Sequence, residues 1–282
     1  MQPGFFFTYR AGYGIMCMIK NDANGGAKSM ADMHVMLDAV CLAAQLTLES
    51  GGETYRAEDT VEHMCKGFSI PKADVLALPT GLIVTLSGED GTAAHTRLIR
   101  VRKRETNLSR LDACNNVSRL VAQGKMTAED ALAALKKIQK TPMPKLVWQV
   151  LFGALSAAFF CVMLGGMPED FVVAFLCGLL IHATMPLLSR CHVPGMLGGL
   201  ITGFLTAQIT LLCNTVYPIH PEPAISGAIL PLLSGLATTN AIRDTMKGDL
   251  VSGSARISEA VLTAALLAVG ICIALSMWEG RF

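Results

Sequence analysis

A short segment late in the chain carries charged side chains of both signs at close spacing. Arg243 and Lys247 alternate with Asp244 and Asp249, and Asn240 precedes them. Cations of this kind bind a carboxylate, and aspartates accept hydrogen bonds from an ammonium group. The segment therefore offers groups that could hold an anionic or zwitterionic small molecule. The alternative is a solvated loop whose positive charges only fix the orientation of the chain.

A second polar segment follows a pair of glycines. Gly51 and Gly52 break one helical pattern, and polar side chains crowd the first turns of the next helix. These side chains are Glu53, Tyr55, Arg56, Glu58 and Asp59. Arg56 has the spacing to pair with Glu53 or Asp59 on the helix surface. The segment is interpreted either as a structural corner between two helices or as a regulatory site.

The sequence contains none of the common patterns for enzymatic chemistry. It has no GxxxxGK[ST] phosphate loop, no HExxH zinc motif and no GxSxG elbow. The nine cysteines form no CxxC pair, and none has a histidine at structural-zinc spacing. We therefore predict free reduced thiols, no catalytic residue, no metal and no other cofactor. A net charge of +1 gives no basis for a nucleic-acid partner.

Charge is unevenly distributed along the 282 residues. Only 16% of them are charged and 52% are hydrophobic, whereas a soluble domain carries about 25% charged residues. Of the 45 charged residues, 33 precede Leu146. We therefore divide the chain into a flexible leader (1–30), a polar domain (31–141) and an apolar domain (146–282).

The polar domain combines helical and strand patterns. Apolar residues recur at helical spacing from Ala31, and a second helix is expected over Glu53–Gly67. Val75–Leu86 and Ala94–Lys103 are rich in strand-forming residues, and Gly88–Gly91 is a hairpin turn signal. Two more helices are expected over Leu108–Gln123 and Ala128–Lys140, the second capped by Thr127. This combination of helices and strands predicts an α+β domain.

Five apolar runs follow, each near the ~20 residues that a helix needs to cross a bilayer. They are Leu146–Leu164, Phe171–Leu188, Met196–Val216, Ala224–Ala241 and Ile257–Met277. Pro231 and Ser234-Gly235 interrupt the fourth run. The sequence thus predicts an α+β N-terminal domain followed by an α-helical bundle of five transmembrane helices in a lipid bilayer.

Positive charges between the runs indicate the orientation. Lys136, Lys137, Lys140 and Lys145 precede the first run, whereas the loop Gly165–Asp170 has no Lys or Arg. The later loops continue this alternation, and basic loops stay on the cytosolic side. We therefore expect a multi-pass protein of the plasma (inner) membrane, with a cytosolic N-terminal domain and the C-terminus outside.

Three of the polar residues in or beside the apolar runs are further candidates. His182 and Asn214 fall inside the second and third runs, and Glu259 opens the fifth. Polar groups at membrane depth are costly without a partner and often mark a pathway. His182 therefore serves either structural hydrogen bonding or a proton-linked role, and Glu259 is either a functional group or an interfacial cap.

Two sets of motifs carry a resemblance to a known family. The first set is Glu49–Thr60, Pro79–Gly81, Thr96–Arg102 and Thr106–Leu108. The second set is Thr239–Asp244, Gly248–Leu250 and Ser252-Gly253. Together they resemble the threonine/serine exporter family, in the module that precedes and includes its first five spans.

The resemblance implies a secondary exporter of small carboxylate-bearing metabolites, either threonine and serine or a dicarboxylate such as succinate. It also implies coupling to the proton-motive force. The family's complete unit has a second, smaller hydrophobic module, fused or separate, so we expect a separate small hydrophobic membrane subunit as partner. In this family context the segment from Gly51 to Asp59 becomes a candidate cytosolic gate.

Two other functions stay open at this point. The chain could be a membrane-anchored enzyme with its active site in the cytosolic domain, or a membrane scaffold or sensor without transport. Substrate-dependent efflux separates the exporter from both.

Overall fold

The computed structural model of the chain describes residues 27–87, 94–191, 193–233 and 235–279. The contacts divide the chain into two compact units. The first unit runs to Met143 and also includes Thr239–Arg256. The second unit comprises Pro144–Thr238 and the chain from Ile257. Most of the predicted leader and the predicted Gly88–Gly91 turn lie outside the described residues.

Four helices of the first unit precede or follow a small sheet. They are α1 (Ala27–Glu49), α2 (Thr54–Gly67), α3 (Leu108–Ala122) and α4 (Ala128–Gln139). Their apolar faces meet in one core that includes Val40, Leu46, Val61 and Leu135. The expected cap of α4 is confirmed, because Thr127 Oγ1 accepts a hydrogen bond from the backbone N–H of Asp130 at 3.2 Å.

The sheet of the first unit has three antiparallel strands in the order β1-β2-β3. They are β1 (Lys72–Leu78), β2 (Gly81–Ser87) and β3 (Ala94–Arg100). The single strand predicted over Val75–Leu86 is wrong, since Pro79-Thr80 divides it into two strands that pair with each other. Proline has no N–H to donate to a ladder, so it favours a turn here.

The second unit is built from apolar helices. They are α5 (Leu146–Met163), α6 (Pro168–Arg190), α7 (Gly195–Val216) and α8 (Pro221–Ile229). A 3₁₀ turn over Leu230–Leu232 follows α8, then α9 (Gly235–Met246) and α10 (Leu250–Trp278). The division between the two units falls within α9 and again within α10.

Within the described ranges, four helices are long and apolar enough to cross a membrane: α5, α6, α7 and α10. The number is five if α8 and α9, with the turn between them, count as one bent span. The run predicted over Ala224–Ala241 is therefore not one continuous helix. Pro231 lies in the 3₁₀ turn at the break, where its ring and missing N–H oppose a regular helix.

Helices α7 and α10 pack with their backbones close together. A Cβ atom added to Gly203 would lie against the backbone carbonyl of Leu267, and one added to Gly270 would lie against that of Leu200. Small residues permit this approach, which is how helices associate in a bilayer. The glycines of this surface therefore set the α7–α10 distance.

Candidate functional site

The corner between α1 and α2 is a tight turn around two glycines. Gly51 has a φ of +86°, a left-handed conformation that glycine adopts without the steric cost of a side chain. The backbone N–H of Gly52 donates to the carbonyl of Thr47 at 2.9 Å. Glu53 then stands at the N-cap position of α2. In this turn the carbonyls of Gly51 and Gly52 and the side chain of Glu53 accept hydrogen bonds from residues later in the chain.

Those partners are polar residues of α9 and the start of α10, so the two polar motifs meet within the first unit. Asn240 Nδ2 donates to the carbonyl of Gly51 at 2.8 Å. Arg243 Nη1 donates to Glu53 Oε1 at 2.9 Å. The sequence identified both motifs, and the structure joins them residue by residue across almost two hundred positions of the chain.

A buried ion pair holds the centre of this contact. The carboxylate of Asp244 lies 3.2 Å from Nε of Arg256, and both side chains are buried. Asp244 Oδ1 also accepts the backbone N–H of Thr54 at 3.1 Å, and Arg256 Nη2 donates to the carbonyl of Gly52 at 2.9 Å. Buried charges are tolerated when further hydrogen bonds satisfy them in this way.

Charged side chains lie at the edge of this contact. The side chain of Arg243 is 57% exposed although its partner Glu53 is buried. The ammonium of Lys247 lies 5.5 Å from the centre of the Tyr55 ring, a cation–π distance. Thr54 Oγ1 donates to Asp249 at 3.4 Å. We call Gly51–Asp59 with Asn240–Asp249 and Arg256 the junction cluster.

Glu53 and Glu58 of the junction cluster have shifted pKa values. Burial alone would raise the pKa of Glu53, but a hydrogen bond from its own backbone N–H and the guanidinium groups of Arg243 and Arg56 hold it below its ordinary value. The pKa of Glu58 is raised, chiefly by burial and also by nearby carboxylates such as Asp249. Glu58 Oε1 accepts the backbone N–H of Ala77 at 2.8 Å, which partly opposes the rise.

The remaining residues of the α2 motif have peripheral positions. Arg56 Nη1 lies 3.4 Å from Glu53 Oε2, which is one of the two pairings expected from the sequence. Asp59 is exposed, and its backbone carbonyl is 2.6 Å from the imidazole Nδ1 of His63. Glu53 is therefore the carboxylate that both Arg56 and Arg243 contact.

The three polar candidates in or beside the apolar runs lie in the second unit and have local partners. His182 Nδ1 is 2.9 Å from the carbonyl of Gly178 one turn earlier in α6. Asn214 Oδ1 accepts the backbone N–H of Ile219 at 3.1 Å and so fastens the loop after α7. Glu259 lies on the exposed side of α10, and its carbonyl accepts from Thr263 at 2.8 Å. These contacts bring none of the three into the junction cluster.

Across the described part of the chain, no group of three or more His, Cys, Asp or Glu residues could hold a metal ion. The cysteines placed by the structure are free thiols.

A comparison with family models gives the context of the site. The model described as "Putative threonine/serine exporter" matches residues 38–278, which include both polar motifs and all the apolar helices. The chain belongs to the threonine/serine exporter family. The resemblance seen in the sequence is thereby confirmed, and with the apolar helices it identifies a multi-pass membrane protein.

Individual members of the threonine/serine exporter family are distant in sequence. A "Probable threonine/serine exporter" of Mycobacterium tuberculosis is 24% identical over 247 residues, covering 86% of this chain and 47% of that protein. The "Threonine/serine exporter" of Corynebacterium glutamicum is 26% identical over 193 residues, covering 64% and 38%. This chain thus spans less than half the length of these two exporters.

A shorter family member matches almost from end to end. The "Probable succinate transporter subunit YjjP" of Klebsiella aerogenes is 24% identical over 251 residues, covering 86% of this chain and 94% of that protein. No solved structure matches the chain.

The side chains of Arg256 and Thr54 make contacts in the junction cluster but are not among the site residues predicted from the sequence. Arg256 is one of the basic loop residues that indicate the orientation of the spans, and Thr54 lies inside the first motif set, Glu49–Thr60. An arginine at the start of a long apolar helix was the available signal for Arg256, because such a charge needs a partner. No local pattern indicated that this partner would be Asp244.

Proposed function

We propose that this chain is a subunit of a secondary-active exporter of small carboxylate-bearing metabolites, and that the junction cluster is its substrate-responsive gate. The family match and the names of the relatives support the transport function. The observation that carries the gate is the pairing of an exposed Arg243 with a buried Glu53. The substrate class covers threonine, serine and dicarboxylates such as succinate.

The Arg243–Glu53 pair suits competition by a substrate carboxylate. A guanidinium binds carboxylates through paired N–H donors, and Arg243 is exposed enough for a second carboxylate to reach it. A substrate that takes Arg243 from Glu53 removes one of the contacts between α2 and α9. Lys247, held over Tyr55, offers a second cation close by in the chain.

The buried Asp244–Arg256 pair has a different part in this proposal. Asp244 is fully buried, so it is a positioning residue and touches no substrate in this conformation. The pair fastens α9 and α10 to the α1–α2 corner through Thr54 and Gly52. Because α10 continues as one helix to Trp278, a change at the junction cluster acts directly on an apolar helix.

The sidedness of the exporter follows from its basic loops. Lys136, Lys137, Lys140 and Lys145 precede α5, and Arg243, Lys247 and Arg256 flank the later loop. The positive-inside rule then assigns the first unit to the cytosol and the C-terminus to the outside. On this arrangement the junction cluster meets substrate from the cytosol, and the proton-motive force drives its export.

A second, small hydrophobic subunit completes the transporter in this proposal. Its support is that the relative from Klebsiella aerogenes, which matches 86% of this chain, is named a transporter subunit. We propose that the chain alone inserts but exports little. Co-expression with a small hydrophobic membrane protein encoded beside it should raise efflux, and the two should co-purify in mild detergent.

Efflux from loaded cells tests the proposal. Cells that express the chain with its partner are loaded with labelled threonine, serine or succinate, and the initial rate of release is compared with vector controls. We expect faster release of at least one of the three, abolished by a protonophore. Arg243→Ala and Asp244→Ala should reduce it at equal amounts of membrane protein. Release at the vector rate for all three substrates would refute the function.

A further inference from the structure

The outer face of the three-stranded sheet carries an exposed row of apolar side chains. The register pairs Leu76 of β1 with Ile83 of β2, and Ile83 with Leu98 of β3, so the three side chains are neighbours across the sheet. Their exposed fractions are 51%, 37% and 51%. On the other face, Ala77 and Leu82 are buried in the core of the first unit. Among the described residues, the row is thus open on its outer side.

These residue types depart from the usual pattern of a sheet with one free face. Antiparallel strands of such a sheet alternate apolar residues toward the core with polar residues toward water. Asp74, Thr85 and Thr96 follow this pattern one row away, and a hydrogen bond of 2.9 Å joins the two threonines. Contiguous apolar side chains that are rimmed by polar residues are typical of an interaction site. The proposed function does not account for this row.

The charged residues of the outer face make it complementary to itself. Strands β1 and β3 both run antiparallel to β2. Asp74 precedes Leu76 by two residues, and Arg100 follows Leu98 by two residues. The two exposed charges therefore occupy opposite corners of the face, with Ile83 between them. A two-fold axis that passes over Ile83, perpendicular to the line between these corners, brings each Asp74 against Arg100 of a second copy.

The charge of this face favours a protein partner over a lipid surface. Surfaces that bind anionic lipids are basic, whereas this face carries both signs of charge. Lys72 Nζ lies 3.6 Å from Asp74 within the chain, but both side chains are exposed, so this pair contributes little and leaves Asp74 accessible. The face therefore suits a partner that presents both an acidic and a basic group.

The size of the face favours a partner anchored in the same membrane. Three strands of seven residues each give an area of about 300 Å², from a strand spacing of about 4.8 Å and a rise of about 3.3 Å per residue. A stable interface buries about 800 Å² per partner, so this face would hold a soluble protein weakly. Two copies of a multi-pass membrane protein need less contact area, because confinement in one membrane raises their effective concentration.

We propose that the outer face of the β1–β2–β3 sheet is a homodimer contact between two copies of this chain in one membrane. Leu76, Ile83 and Leu98 of both copies form the apolar centre of the contact. Two pairs of Asp74 with Arg100, related by the two-fold axis, form its rim. This proposal does not depend on the proposed transport function.

Chemical crosslinking of the full chain in membranes tests the contact directly. The two-fold axis places Ile83 of one copy opposite Ile83 of the other, and packed sheets lie about 10 Å apart. A short bismaleimide should therefore join two copies of Ile83→Cys, above the background from the native cysteines of the unmodified chain. Asp112→Cys, at an exposed position on α3, is the matched control. We expect a several-fold higher dimer yield for Ile83→Cys than for Asp112→Cys.

Charge reversal identifies the residues that meet at the rim. In the Ile83→Cys chain, Asp74→Arg and Arg100→Asp each place like charges against each other at both corners. Each should therefore lower the dimer yield several-fold. The double variant restores opposite charges and should regain the yield. This recovery separates a lost contact from a loss of folding, because a second substitution would not repair a misfolded domain.

Three outcomes would overturn the proposal. They are equal dimer yields from Ile83→Cys and Asp112→Cys, unchanged yields in both single charge reversals, and a double variant whose yield stays as low as that of the single variants. The first of these outcomes would assign the apolar row to a lipid surface or to a different protein.

Discussion

Oδ2 of Asp244 and Nε of Arg256 lie 3.2 Å apart, and both side chains are buried. Moving two charges out of water is costly, so such a pair is weak support for stability on its own. The additional bonds to Thr54 and Gly52 connect this pair to the start of α2 and to the α1–α2 corner. The pair therefore defines which segments meet at the junction cluster.

The first prediction is that Asp244 and Arg256 are energetically coupled. Asp244→Asn and Arg256→Gln should each lower the melting temperature, because a buried charge left without its partner costs about 3–5 kcal/mol. The double variant should lose less than the sum of the single losses. Thermal unfolding in detergent measures all four proteins. Asp112→Asn on the exposed face of α3 is the control, and strictly additive losses would contradict the pairing.

The second prediction concerns the left-handed turn at Gly51. Gly51→Ala should cost about 1–2 kcal/mol, because a Cβ atom disfavours a positive φ, and it should also reduce export by displacing the carbonyl that binds Asn240. Gly124 also has a positive φ, of +68°, with open space around it. Gly124→Ala should therefore cost similar stability without loss of export, and equal export by the two variants would contradict the role of the turn.

The third prediction concerns the pH dependence contributed by Glu53. Its pKa is lowered in the folded chain, so its ionised form stabilises the fold above the unfolded pKa of about 4.3, and this contribution is lost as the pH falls through the folded pKa. Glu53→Gln should lower the melting temperature at pH 7. The difference from the unmodified chain should shrink as the pH approaches 4 and below.

Glu58→Gln is the matched control with the opposite sign. The pKa of Glu58 is raised, so its ionisation destabilises the fold as the pH rises past the unfolded pKa. Its neutral replacement should leave the melting temperature at pH 7 unchanged or higher. A loss at pH 7 as large as that of Glu53→Gln would contradict the assigned environments.

The fourth prediction concerns the close approach of α7 and α10. Gly203→Leu should destabilise the protein and reduce its amount in the membrane, since the added side chain meets the backbone of Leu267. Gly195 lies on the same helix with open space around it, so Gly195→Leu should be tolerated. The amount of folded protein in detergent, measured by fluorescence size-exclusion chromatography, compares the two, and equal amounts would contradict the packing.

The helices and their caps could be predicted from the sequence because each depends on residues that are close together in the chain. The apolar runs and the cap at Thr127 depend on residues within a few turns of each other. The division at Pro79-Thr80 was missed because strand-forming residues dominate both halves of Val75–Leu86, although Pro79 and Gly81 are turn-forming residues. The break at Pro231 was visible as an interruption, but its geometry depends on how the flanking helices pack.

The junction cluster could be anticipated only in part. The family resemblance drew attention to both motifs, yet nothing in either motif states that Asn240 binds the carbonyl of Gly51 or that Arg243 binds Glu53. Such contacts join positions 189 and 190 residues apart. A charged residue in one segment has many possible partners in a chain with 45 charged side chains, and tertiary packing selects among them.

The initial efflux rate per unit of membrane protein in the Arg243→Gln variant tests the central claim most directly. Arg102→Gln is the matched control, because Arg102 is also exposed, lies in the first unit and is not a member of the junction cluster. The account predicts that Arg243→Gln lowers the rate by about tenfold or more, the effect of losing one charge-assisted contact, while Arg102→Gln keeps the rate of the unmodified chain. Equal efflux from the two variants would contradict the assignment of the junction cluster to export.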